Sequence, residues 1–311
     1  METVNLFFAC DDHYVPFLAV TLASLKDNRD PARQYDVRIL HTGLCQENRR
    51  RIGAFAEEKF CVEFVCITEK VRQFARQLHT RDYYSQSTYY RLFIPAMFPQ
   101  LDKGLYLDSD LVLLGDVSRL YDTVLEDELA AAIPDGIVNT TEHLALYAEK
   151  RLGVPVKEYF NAGVLLMNLE KMREMDFEKV FLELLQSVKF QVAQDQDYLN
   201  VICKDRVLLL DYGWNSMPTG IGPEVPELIH FNLDSKPWHR DDVHYGEYFW
   251  RYVPMSGYEA EIRSIRAGFS RQNIAASAEE TVNLIALAFE QAMDDDENRR
   301  IHESIARVVT A

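Results

Sequence analysis

Along the chain, apolar residues come first as short uninterrupted runs and later as helical stripes. "TVNLFFAC" (3–10) is a compact apolar run; after a polar turn, Val15, Leu18, Leu22 and Leu25 recur on one helix face, with Pro16 near the helix start. "YDVRILHT" (35–42) and "CVEFVCIT" (61–68) read as the next two strands, with "QENRRRIGAFAEEK" (46–59) as the helix between them. A βαβαβ opening of this kind favours a largely parallel sheet covered on both faces. "STYYRLFIPAMF" (87–98) predicts another helix and "GLYLDSD" (104–110) the following strand.

Beyond it, "ELAAAIPD" (128–135), "AGVLLMNL" (162–169), "RVLLLDY" (206–212) and "ELIHF" (227–231) read as strands, and "DQDYLNVICK" (195–204) as a helix. Phe177, Val180, Phe181, Leu184, Leu185 and Val188 form a core-facing helical stripe. From about residue 245 the pattern is helical only. There Ser277 and Glu280 fit a capping box, followed by the stripe Val282, Ile285, Phe289, Met293 and a second one, Ile301, Ile305, Val308. The domain reading is an α/β domain over 1–245 and a helical C-terminal extension over 246–311 that packs on the domain or on a second subunit.

Composition narrows the partners. A chain of 311 residues that is 48% hydrophobic buries a large core. With 49 acidic against 33 basic residues, a net charge of −16, its surface repels phosphate backbones and anionic lipid. Nucleic acid is therefore not an expected partner, and a phosphorylated ligand has to be met by local positive charge. The five cysteines include no C-x-x-C pair and suit reduced thiols. "VNLFFA" (4–9) is too short for a signal h-region, and no window approaches the roughly 20 apolar residues of a membrane span. The expectation is a cytoplasmic protein without membrane insertion.

In a parallel α/β sheet, ligands bind at the carboxyl ends of the strands, and the polar residues of this chain collect there. Asp11 and Asp12 follow the first strand, Asp108 and Asp110 the "GLYL" strand, Asp135 the next, and His230 the last. Two carboxylates separated by one residue can share a divalent cation, or one can hold metal while the other orients a hydroxyl. Taken alone, D-x-D equally suits a solvated turn, and His230 a satisfied core histidine. "DSDLV" (108–112) also fits the haloacid-dehalogenase phosphatase pattern, with Asp108 as nucleophile, although that motif normally follows the first strand of its domain.

"FFACDDHYV", "STYYRL", "LYLDSDLVL", "YFNAGVLLMNL", "QDQDYLN" and "HFNLDSKPWH" occur in that order between about residues 4 and 240. Together they resemble the successive motifs of glycosyltransferase family 8, the bacterial galactosyl- and glucosyltransferases related to glycogenin and to lipooligosaccharide α-galactosyltransferase. The resemblance implies a GT-A fold, a Rossmann-like mixed sheet flanked by helices, and a retaining transfer of glucose or galactose from a UDP-sugar to a saccharide or lipid-linked glycan. Mn²⁺ is the implied cofactor, with Mg²⁺ the alternative; a mixed oxygen and nitrogen ligand set leans towards Mn²⁺.

Carried over by motif, the resemblance makes Asp108, Asp110 and His230 the metal ligands. Ala9, Asp11 and His13 lie on the nucleoside loop, although a relative has Asn at the position of His13. Ser109, Arg91, Asn161, Ala162, Asp195 and Lys236 complete the donor site; Arg91 either reaches the donor sugar or holds Asp108, and the bare sequence equally allows an exposed helical arginine. Asp195 and Gln196 match the pair that grips the hexose, whereas the sequence alone suggests a helix N-cap with an acidic first turn. Gln196, Asp195, Lys236 and Asp135 are the candidate catalytic residues. Gln196, placed beneath the anomeric carbon, is a poor nucleophile, which favours same-face attack over a covalent intermediate. A UDP-sugar binding protein without turnover is the remaining alternative. One departure stands out: the family's H-F-x-G-x-x-K-P-W reads here His230-Phe231-Asn232-Leu233-Asp234-Ser235-Lys236-Pro237-Trp238, with leucine for glycine and an added aspartate. A leucine there either keeps the loop path with its side chain turned away or shifts the loop.

Overall fold

The computed structural model describes residues 3–74, 78, 86–218, 222–223 and 225–309. By its internal contacts the chain divides into two compact units, one of residues 1–73, 104–124 and 211–278, the other of 74–103, 125–210 and 279–311. This division crosses the boundary drawn at residue 245: the helices that follow are shared out between the units. Among the described residues the main sheet is mixed, with seven strands.

Four of them form the parallel sheet of the first unit, in the order β3-β2-β1-β4: β1 (Val4–Ala9), β2 (Tyr35–His41), β3 (Phe60–Cys66) and β4 (Lys103–Leu107). All of β1 is buried, as its unbroken apolar run requires of a central parallel strand. The helix Val15–Asn28 is buried from Val15 through Leu25, on every face and not on one stripe alone. Its two polar core residues grip the segment after β4. The Thr21 hydroxyl lies 2.8 Å from the Leu111 carbonyl and 3.1 Å from that of Ser109, and Ser24 Oγ accepts from Leu113 N at 3.0 Å. The helix expected over 46–59 is shorter, Gln46–Gly53, because the chain turns after Gly53 and Lys59 takes a left-handed φ of 62° just before β3.

A strand not foreseen in the sequence, β5 (Leu111–Leu113), follows the D-x-D directly and pairs antiparallel with β9 (Leu228–His230).

The second unit holds β6 (Ala130–Pro134), β7 (Phe160–Asn168) and β8 (Val207–Leu209), in the order β7-β6-β8, with β6 antiparallel to β7 and parallel to β8. The β6–β7 register jumps from Ala132↔Leu165 to Ile133↔Asn161, so residues 162–164 bulge out of the ladder. Bulges of this kind re-aim side chains next to functional sites. The helix expected over 87–98 is wound as a 3-10 helix, Gln86–Phe93, followed by one α-turn, Ile94–Met97. Pro95, which has no N–H to donate, sits in the first positions of that turn.

After residue 245 the structure is helical: Gly246–Tyr252, Glu259–Gly268, Arg271–Ala292 and Asp295–Val309. One expectation fails there. Ser277 and Glu280 lie inside the continuous helix Arg271–Ala292, away from its N-terminus. The capping residue is Ser270: its Oγ accepts from Asn273 N, and Asn273 Oδ1 accepts from Ser270 N, the reciprocal box made with Asn in place of Glu or Gln. Of the stripe Val282, Ile285, Phe289, Met293, Ile285 is half-buried and the other three are exposed on the single chain, while Leu284, Ala288 and Ala292 are the buried positions of that helix. Small alanines four residues apart let a helix approach its neighbour closely. On the last helix Ile301 and Val308 are buried, as their spacing predicts.

Candidate active site

The first unit assembles the residues of the D-x-D and of the last strand. In the β5–β9 ladder Leu111 is paired with His230, and Phe231 N donates to the Asp110 carbonyl at 3.1 Å. Two motifs more than a hundred residues apart in the chain thereby become neighbours. Ligand atoms of Asp108, Asp110 and His230 lie within 4.8 Å of one another. His230 Nε2 is 3.4 Å from Asp110 Oδ1 and 3.7 Å from Asp108 Oδ2, while its Nδ1 is 3.0 Å from Asn215 Oδ1. An amide oxygen can only accept, so Nδ1 carries a proton to Asn215 and Nε2 is the ring nitrogen turned on the two carboxylates. A ring nitrogen facing two carboxylates needs a proton or a metal cation between them, and one nitrogen with two carboxylates is a donor set that a divalent transition ion accepts. The three residues fit a metal. Asn215, the tautomer-setting partner, carries no signal in the sequence.

Lys236 is the other cation of this cluster. It is 5% exposed, donates to Asp110 Oδ2 and to the Phe231 carbonyl, and sits 6.0 Å from the centre of the Tyr14 ring. Burial works against its charge, but Asp110, with Tyr14 and Asp108, more than reverses burial and holds the ammonium above its ordinary pKa. Burial likewise pushes the Asp110 carboxyl up, and Lys236 with His230 more than reverses it, leaving Asp110 well below the usual carboxylate range. Trp238 stacks on Phe17 at 3.9 Å between ring centroids, anchoring the segment that carries Lys236 to the buried helix.

The nucleoside-loop residues are close at hand. Ser109 Oγ donates to the Ala9 carbonyl at 2.8 Å, tying the end of β1 to the D-x-D. Asp11 Oδ1 accepts from the backbone N–H of His13 and Tyr14, so one of its oxygens caps the turn into the first helix. His13 is exposed. Tyr14 was not singled out in the sequence. Lys236 lowers its pKa, but burial and the nearby Asp110 and Asp108 raise it by more.

At the departure from the family pattern, Leu233 adopts φ 47°, the left-handed conformation that glycine takes freely and leucine does not. The loop keeps a glycine-like turn at this residue and bears the strain. Asp234 is not an isolated negative charge, since its Oδ2 is 3.6 Å from the Arg240 guanidinium.

The second unit assembles the remaining candidates. Arg91 is buried, its Nε 3.0 Å from Asp195 Oδ2 and 2.8 Å from the Thr88 carbonyl, with Nη1 donating to the Ala162 carbonyl. The exposed-arginine reading is wrong. Asp195 is the first residue of the helix Asp195–Ile202 and not its N-cap; that place falls to Gln194, buried and strained at φ 48°, ψ −113°. Asp135 divides its carboxylate. Oδ1 caps the short helix Gly136–Thr140 by accepting from Ile137 N and Val138 N, and Oδ2 accepts from Asn161 Nδ2 at 3.0 Å and Gln196 Nε2 at 3.1 Å. Gln196 Oε1 accepts from Ala162 N at 2.9 Å, within the β7 bulge, and from Asn161 Nδ2 at 3.2 Å. Asp197, beside Gln196 in the quoted motif but given no role there, is fully buried under the hydroxyls of Tyr147 and Tyr159. Desolvation lifts its pKa to about 6 against the hydrogen bonds it receives.

The sequence profile of glycosyl transferase family 8 matches residues 5–242. A lipopolysaccharide 1,2-glucosyltransferase of Escherichia coli K12 is 32% identical over 177 residues, half of each chain. A lipopolysaccharide 1,3-galactosyltransferase of Salmonella typhimurium is 24% identical over 279 residues, 85% of this chain and 78% of its own. Among solved structures, the galactosyltransferase LgtC in complex with donor and acceptor sugar analogs aligns with a TM-score of 0.69 and 28% identity, over 81% of this chain and 96% of that one. With strands in these orders and this neighbour, the fold is GT-A. On this match, which takes in both clusters, the chain belongs to glycosyltransferase family 8.

Proposed function

We propose that the protein transfers a hexose, glucose or galactose, from a UDP-sugar to a hydroxyl of a saccharide or lipid-linked glycan, with Mn²⁺ and with retention of anomeric configuration. The observation that carries the reading is His230, held at Nδ1 by Asn215 so that its Nε2 faces Asp108 and Asp110, with the ligand atoms of all three within 4.8 Å of one another. The relatives' glucosyl- and galactosyltransferase names support a hexose, and lipopolysaccharide supports a glycan acceptor.

In this reading Asp108, Asp110 and His230 hold the ion. When bound it supplies positive charge to a diphosphate leaving group. Lys236 adds a second, protein-borne positive charge, which acts mainly in the transition state because the leaving group gains negative charge as the glycosidic bond breaks. Ala9, Asp11 and His13 face the nucleoside, with Ser109 keeping Ala9 in place. In the second unit Asp195, clamped by Arg91, accepts hexose hydroxyls, and Asp135 and Asn161 orient the sugar with Ala162. Gln196 carries a neutral carboxamide, a poor nucleophile, so attack by the acceptor on the face the leaving group vacates is the favoured route to retention. Five free cysteines suit a reducing compartment such as the cytoplasm, and no described helix is long and apolar enough to cross a membrane.

The phosphatase alternative falls with the family assignment. The test is UDP release from a panel of UDP-glucose, UDP-galactose and UDP-N-acetylhexosamines, with Mn²⁺, Mg²⁺ or EDTA. Release that requires the metal and prefers one hexose supports the reading; binding of UDP-sugar with no release under any condition leaves a binding protein and refutes it.

A further inference from the structure

Gln196 is bonded at every in-plane position of its carboxamide. Its oxygen accepts from Ala162 N at 2.9 Å and from Asn161 Nδ2 at 3.2 Å, and its nitrogen donates to Asp135 Oδ2 at 3.1 Å and to the Tyr159 hydroxyl at 3.1 Å. A phenol can either donate or accept along a given bond, and what lies behind it decides which. Behind Tyr159 lies Asp197 Oδ1, at 2.7 Å, a carboxylate with no exposure to water that also receives Tyr147 OH at 2.9 Å and Ala193 N at 3.0 Å. The Tyr159 proton is therefore committed to Asp197, and its oxygen is left as an acceptor for Gln196.

We propose that Tyr159 is a positioning residue for the transfer reaction: backed by Asp197, it holds the Gln196 carboxamide with its oxygen towards the β7 bulge and its nitrogen towards Asp135 and the phenol. The assignment rests on the functional reading above, in which Gln196 lies beneath the anomeric carbon. It also deepens that reading. Both lone pairs of Gln196 Oε1 are engaged, so the group enters the reaction as a fixed dipole and not as an attacking oxygen. Asn200 holds the same stretch from below, accepting from Phe160 N at 2.8 Å and donating to the carbonyls of Phe160 and Gln196 at 2.9 Å each. The backbone around Gln196 is thus secured independently of Tyr159, and what Tyr159 adds is the orientation of the side chain.

Tyr147 supplies the control, because it makes the equivalent bond to the other oxygen of Asp197 but has no bond to Gln196. Metal-dependent UDP release from UDP-glucose and UDP-galactose, which needs no identified acceptor, is measured for the parent, Tyr159→Phe, Tyr147→Phe, Gln196→Ala and the Tyr159→Phe/Gln196→Ala double variant, with UDP affinity measured on the same preparations. Expected are a kcat about 10- to 100-fold lower for Tyr159→Phe, KM and UDP affinity within about twofold of the parent, and kcat within about twofold of the parent for Tyr147→Phe. The double variant should be no slower than Gln196→Ala alone, since Tyr159 has no target once the carboxamide is gone. Equal kcat losses in Tyr147→Phe and Tyr159→Phe, a loss of UDP affinity in Tyr159→Phe, or multiplicative effects in the double variant would each overturn the assignment in favour of a structural role for the phenol. A parent that releases no UDP from either donor refutes the transferase reading and the assignment with it, whereas a parent that turns over beside an unimpaired Tyr159→Phe refutes the assignment alone.

Discussion

Replacing Lys236 by methionine tests the electrostatics of the first cluster before any substrate is involved. Lys236 and Asp110 have side chains only 7% and 11% exposed, and the ammonium also caps the Phe231 carbonyl. Methionine keeps much of the volume, so the cavity contribution is small and the loss is mostly that of the charge. Asp110 then retains only the His230 ring nitrogen, 3.4 Å away, as a polar partner within the cluster. Removing one partner of a buried pair costs about 3–5 kcal/mol, because the remaining charge stays desolvated. The same change should favour a metal, since a divalent ion no longer shares Asp110 with a fixed positive charge. Urea unfolding of parent and variant, in EDTA and in Mn²⁺, separates the two effects: the variant should be about 3–5 kcal/mol less stable in EDTA, and Mn²⁺ should stabilise it more than it does the parent. A variant in EDTA within about 1 kcal/mol of the parent, or one that gains less from Mn²⁺, would show that Lys236 is not the counter-charge of Asp110.

Asp110→Asn should abolish metal-dependent UDP binding, read by calorimetry with and without EDTA; parent affinity undiminished in EDTA would contradict the metal assignment. Leu233→Gly removes a left-handed leucine and should raise stability by about 0.5–1 kcal/mol in denaturant titrations, with no gain if the loop is relaxed as it stands. Arg240→Ala frees the charge of Asp234 and should weaken UDP binding, with Asp234→Ala restoring it in the double variant; an unaltered affinity would mean that Asp234 does not face the diphosphate. Asp197 has a folded pKa of about 6, above its unfolded value, so it binds its proton more tightly when folded. Its contribution is greatest below pH ~4 and is lost as pH rises through ~6, on the order of 2–3 kcal/mol in all. The stability difference between parent and Asp197→Asn should therefore narrow or reverse in favour of the variant between pH 4 and 7, and a pH-independent difference would refute the raised pKa.

The strands of the core were legible in the chain itself, since a short apolar run such as 4–9, bounded by polar turns, is what a strand buried on both faces requires. Carboxylates at strand ends were legible for the same reason: an ionised group cannot be placed inside such a strand without a large desolvation cost. Tertiary structure alone decided which of those groups meet. Asp110 and His230 become neighbours through the β5–β9 pairing, and a three-residue strand with a partner over a hundred residues away has too little local pattern to announce itself. The proton position on His230 depends on Asn215, and the orientation of Gln196 on Tyr159 and the β7 bulge, because hydrogen-bond direction is set by the partner and not by the residue. The helical tail shows the same limit. Ser277 and Glu280 satisfy the capping pattern, but Ser270 and Asn273 close the box first, and Ala288 and Ala292 take the buried side from Val282, Phe289 and Met293. Periodicity specifies that a helix has an apolar side; which side is buried depends on the space its neighbours leave, and small residues can win it over large ones.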